Sequence, residues 1–176
     1  DTTRNSDFYE RFINWRPHKY DSSTVKNCVE KLNETYKYQK YDFSDFPNLF
    51  VRINQMNGSF YLYDRCDGID QRFELRDSAF IFYGPLESDA ETIRKVQQIN
   101  DEGIKLELNS FKAKTKQGWS SLEILKTKYE GIYLIRYKNE SFEKEEFAIS
   151  ISDIKNYDLV VNHCPNMKRE EFAPFH

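Results

Sequence analysis

Hydrophobic positions along this chain change their period near residue 48. Before it, apolar residues recur at helical spacing. After it, short aromatic and β-branched runs alternate with polar residues and are broken by turn signals. A surface helix buries one stripe along its length, and a half-buried strand buries every second residue. The pattern therefore predicts helices first and a sheet afterwards.

Phe8, Phe12 and Trp15 lie at i, i+4 and i+7, which predicts a short amphipathic helix stopped by Pro17. Val25, Cys28, Val29, Leu32 and Tyr36 form a second apolar stripe, with Ser22 or Ser23 placed to cap it. Residues 36–47 read as a loop or an edge strand punctuated by Pro47. Alternation then begins: Leu49, Val51 and Ile53 against Phe50, Arg52 and Asn54. Asn57-Gly58 is a strong two-residue hairpin signal. Beyond it, Phe60 and Leu62 share one face, and Tyr61 and Tyr63 share the other. Residues 71–76 and 78–83 read as two strands or one bent strand, and further strands are predicted over 104–108, 122–129, 132–137, 147–151 and 157–162, with a turn at Glu130-Gly131. Ser88-Asp-Ala-Glu91 reads as a capping box opening a helix whose face holds Ala90, Ile93, Val96 and Gln97.

About eight strands joined by short turns argue for an antiparallel meander. The fold class read from this is α+β: N-terminal helices, then a strongly curved sheet or lipocalin-like barrel with one helix inserted. The alternative is a cystatin-like or NTF2-like sheet curved around the Val25–Tyr36 helix. Residues 1–47 form the helical segment of a single domain, 48–165 its β-rich core and 166–176 a loose tail.

Composition narrows the function classes. Aromatics are 16% of the 176 residues, so the core should be strongly aromatic. A net charge of −3 with interspersed signs offers no basic field for a phosphate backbone, so nucleic-acid binding is disfavoured. No apolar run is long enough to span a bilayer as a helix. The chain starts Asp1-Thr2-Thr3, which suggests export, to the periplasm or as a secreted protein, with any lipoprotein anchor upstream of Asp1. The sequons at Asn33, Asn57 and Asn139 add little, being close to chance for this composition. Of the three cysteines, Cys66 and Cys164 lie beside turns and are the pair expected to bridge if any does.

Candidate chemistry is sparse. Asp64, Asp67 and Asp70 crowd a turn, but their spacing is not that of an EF-hand loop, and Asp and Gly suit turns anyway. His163 adjoins Cys164, yet neighbours on an extended strand point to opposite faces. Glu74, Asp77, Glu107, Glu123 and Glu143 could supply an acid–base pair, although nothing in the sequence selects two of them. No metal or cofactor is called for. The unabsorbed feature is tyrosine, whose apolar body and polar tip suit ligand cavities and interfaces. Tyr61, Tyr63 and Tyr133 are the candidate binding residues, among strand tyrosines that also include Tyr83 and Tyr137. The sequence thus points to a non-enzymatic binding or accessory protein whose partner is a small ligand, a glycan or a protein. The alternatives are a hydrolase with carboxylates at a barrel mouth and a structural subunit of an envelope assembly.

Overall fold

A computed structural model describes residues 4–37, 39–64, 71–84, 88–109 and 120–161. Two helices come first. α1 (Asp7–Ile13) is capped by the Ser6 side chain, which accepts from the Tyr9 N–H. α2 (Lys19–Thr35) is capped by His18, so Ser22 and Ser23 lie inside it and not at its start. Ten strands follow: β1 (Leu49–Met56), β2 (Ser59–Asp64), β3 (Arg72–Leu75), β4 (Ala79–Tyr83), β5 (Ser88–Ile99), β6 (Gly103–Asn109), β7 (Ser121–Lys126), β8 (Ile132–Lys138), β9 (Glu143–Ser150) and β10 (Asp158–Val161). A 3₁₀ turn, Ile151–Asn156, joins the last two.

β1 pairs with β3 on one edge and β9 on the other, both antiparallel, so the sheet closes on itself. The closed barrel has eight strands, β1 and β3 through β9, and every pairing within it is antiparallel. Closure leaves these strands without an open edge. The far half of β1 outruns β3 and pairs instead with β2, which pairs in turn with β10. That last pairing is parallel, which the meander reading did not anticipate. β1, β2 and β10 thus form a small sheet projecting from one end of the barrel. α2 packs on the outer face of β4 and β5, where Val25 meets Ile81, Tyr83 and Ala90. The sheet therefore does not wrap around the helix, as the cystatin-like or NTF2-like alternative required.

The Asn57-Gly58 hairpin forms as expected, with positive φ at both residues (51° and 78°). The helix expected from Ser88 does not form, because residues 88–99 are strand β5, bonded on both edges. A bulge between Ile93 and Lys95 explains the misleading period. It shifts the phase so that Ile93 and Val96, three apart, both face the barrel interior, which mimics a helical stripe.

The barrel interior is the main core. Phe50, Phe73, Phe80, Leu106, Leu122, Ile124 and Tyr137 fill it at 0–3% exposure. Phe73 stacks on Phe80 at 6.0 Å, and Tyr137 lies 5.9 Å from Phe73. One end is plugged by the segment after α2. Tyr41, Phe43 and Phe46 lie against the core there, with the Tyr41 N–H donating to the Asp77 carbonyl and its hydroxyl to the Arg94 carbonyl. A second cluster sits outside the barrel wall, where Tyr9 and Phe12 of α1 pack with Val51, Ile53, Leu62, Ile149 and Leu159. In α1 Tyr9, fully buried, joins Phe12 in that cluster, and the expected Phe8 packs against it half-buried. On α2, Val25 and Leu32 are buried, whereas Tyr36 is the exposed C-cap and does not extend the stripe.

Candidate functional site

The end of the barrel opposite the plug carries polar side chains inside. Even-numbered residues of β1 point inward, so Phe50 lies in the core and Arg52 follows it toward this mouth. Gln71 enters from the start of β3, and its amide meets Glu146 of β9, whose register opposite Ile135 turns it inward. Lys144 lies opposite Tyr137 on the same face. Glu91 lies opposite Phe80 on β5 and so faces the lumen from the far wall.

These groups converge on one carboxylate. The Glu146 side chain is 2% exposed. Gln71 Nε2 donates to its Oε2 at 2.7 Å. Lys144 Nζ stands 2.8 Å from its Oε1, and Arg52 Nε 3.5 Å from the same oxygen. Gln71 and Glu91 are each 6% exposed, while the Arg52 and Lys144 side chains keep 35% and 39% exposure. The cluster thus has a dry floor and a wet rim. Burial holds the Tyr137 hydroxyl well above its ordinary range, and the charges of Glu146 and Glu91 push it the same way. It stays a neutral group at the floor of the mouth.

The same face of β1 runs on past Arg52 to Asn54 and Met56. There it joins the projecting sheet, because Asn54 lies opposite Tyr61 and Val160 opposite Tyr63. Asn54, Met56, Tyr61, Tyr63 and Val160 line a groove of about 250 Å³ whose surface is mostly apolar. Phe60 and Leu62, on the other face of β2, go to the outer core. So the pairing of Tyr61 with Tyr63 on one face, expected from alternation, is what the register gives.

Tyr133 is placed elsewhere. Register sets it opposite Lys126 and Ala148, and its ring packs edge-on to Phe50 at 5.3 Å. It does not line the groove with Tyr61 and Tyr63. Tyr83 and Tyr137 are 1% exposed and belong to packing. Cys66, Cys164, His163, Asp67 and Asp70 lie outside the described residues, and the expected disulfide with them. The five carboxylates singled out from sequence are held in ion pairs around the outside. Glu74 takes Arg76 and the Tyr83 hydroxyl, Asp77 takes Lys40, Glu107 takes Arg94, and Glu123 and Glu143 take Arg136. The carboxylates that face inward, Glu91 and Glu146, went unnoticed in the sequence. The signal for Glu146 is its phase: Lys144, Glu146 and Ala148 share the face opposite Phe147 and Ile149.

No helix among the described residues is long and apolar enough to cross a membrane. No protein-family model, curated protein or solved structure matches the chain.

Proposed function

We propose that this chain is a non-enzymatic binding or accessory protein that takes a small ligand at the polar mouth of its barrel, as a lipocalin-like cup would. The reading rests on the inward face of β1. That face runs from packed core at Phe50, through the ion cluster at Arg52, to the open groove at Asn54 and Met56. A buried ion pair is a poor source of stability, since apolar replacements of similar volume are often neutral or better. A barrel interior filled mainly by aliphatic and aromatic side chains has no packing need for Glu146, Gln71, Arg52 and Lys144. Their convergence beside an aromatic groove has the make-up of a ligand site, with apolar walls and a few placed polar groups.

The test is a native mass-spectrometry screen of the folded chain against apolar acids, alcohols, amines and mono- and disaccharides. Retained adducts should be lost both in Lys144→Met and in the Tyr61→Ala/Tyr63→Ala double variant. Adducts indifferent to both variants, or none from any class, would remove the mouth as the site. Conversion of the bound compound would replace the binding reading with the hydrolase alternative.

A further inference from the structure

We infer that the ligand of this mouth is an amphipathic carboxylic acid, with its carboxylate on Arg52 and Lys144 and its apolar chain along Met56, Tyr61, Tyr63 and Val160. The inference rests on the binding reading above and adds the ligand's chemistry to it.

The donors decide the headgroup. Glu146 Oε2 accepts from Gln71, and its Oε1 lies within ion-pair range of Lys144 and Arg52. That Oε1 is buried, which closes it to a ligand donor. Arg52 comes no closer to Glu146 than 3.5 Å, at Nε, and its guanidinium makes no hydrogen bond among the described residues. Lys144 makes one ion pair and retains further N–H donors. Two cations therefore share one buried carboxylate, and their unused donors lie at the wet rim. A guanidinium fork presents paired N–H groups in the geometry a carboxylate accepts. A cationic headgroup would meet Arg52 and Lys144 as like charges. Glu91 faces the lumen from β5, the opposite wall, which confines an anion to the β1–β9 side.

The groove decides the rest of the molecule. It begins two residues beyond Arg52 on the same face of β1, at Asn54. Met56 lies four residues beyond Arg52, about 13 Å along a strand. An extended acyl chain of medium length bridges such a span. The groove is smaller than a typical drug-sized pocket, which suits a single slender chain. Met and Tyr give adaptable, partly polar walls.

The probes are octanoate, octanol, octylammonium and octyl phosphate, titrated calorimetrically into the full chain. Octanoate should bind at least about tenfold more tightly than octanol, the value of one charge-assisted hydrogen bond set, and octylammonium should not bind. Arg52→Met and Lys144→Met should each weaken octanoate by about tenfold and leave octanol within about twofold. Tyr61→Ala/Tyr63→Ala should weaken both. Equal binding of octanol and octanoate overturns the carboxylate assignment, and so does tighter binding of octyl phosphate. Wild-type affinity in both Arg52→Met and Lys144→Met overturns the placement. The headgroup comparison needs only the wild-type chain, so it stands even where a variant does not fold. Binding of sugars or neutral compounds in the screen above, with octanoate inert, would sink this inference and leave the binding reading intact.

Discussion

At the residue scale, backbone geometry makes sharper demands than side-chain chemistry. Gly103 opens β6 directly against β7, where a Cβ would sit 2.9 Å from the Leu125 Cα and closer still to the Ile124 carbonyl. Both neighbours are backbone and cannot swing away. Gly103→Ala should therefore destabilise by roughly 1–3 kcal/mol, read as a lower urea midpoint with an unchanged slope. Gly58 is a different case. A Cβ there meets nothing within 4 Å, but its φ of +78° is left-handed. Gly58→Val should cost about 1–2 kcal/mol through strain alone. If Gly58→Val were neutral while Gly103→Ala were costly, space and not φ would govern these turns. The hairpin was legible because Asn-Gly has few other uses. The Gly103 contact was not, because it depends on which strand lies alongside.

At the scale of elements, α2 shows how far a periodic pattern reaches. Leu32 is fully buried and Leu32→Ala should cost ~2–5 kcal/mol in urea unfolding, whereas Tyr36→Ala, at the exposed C-cap, should change stability by less than about half a kcal/mol. The stripe was visible in sequence, but its end was not, since a helix boundary depends on capping and not on period. α1 adds a tie to β10 that no pattern reveals. The Tyr9 hydroxyl donates to the Tyr157 carbonyl at 2.6 Å, and Arg4 reaches both Tyr9 and Asp158. Tyr9→Phe removes that donor and should cost about 1 kcal/mol, with α1 amides losing hydrogen-exchange protection before those of the barrel. Strand β5 is the instructive failure. Its capping-box motif is local, while a bulge and two paired neighbours are set by the rest of the chain. The strands on either side of it were readable because turn residues bracket plain alternation.

At the scale of the whole molecule, barrel closure determines what the sequence could disclose about the site. Alternation gave Tyr61 and Tyr63 a common face, but only register separates Tyr133 from them, and only closure brings Gln71 of β3 to Glu146 of β9. The barrel interior covers the Tyr137 and Tyr133 hydroxyls, and the helices and 3₁₀ turn packed on its outside cover those of Tyr9, Tyr83 and Tyr157, which predicts one collective property. Burial raises Tyr9, Tyr83, Tyr133, Tyr137 and Tyr157 above the ordinary value of 10.0. At Tyr83 the hydrogen bond to Glu74 pushes further in the same direction. A raised folded-state value means that the folded chain keeps protons the unfolded chain has released. The stability this represents is complete below pH 10 and is lost as pH rises from there toward the folded values. Unfolding free energy should therefore decline progressively above about pH 10, with tyrosinate absorbance lagging behind that of the free amino acid and then rising together with unfolding. Tyr83→Phe and Tyr137→Phe remove the two titrations most strongly shifted and should flatten that decline. A gradual rise of tyrosinate absorbance that follows free tyrosine, with the fold intact, would show that these hydroxyls reach water and that the barrel is looser than its packing indicates.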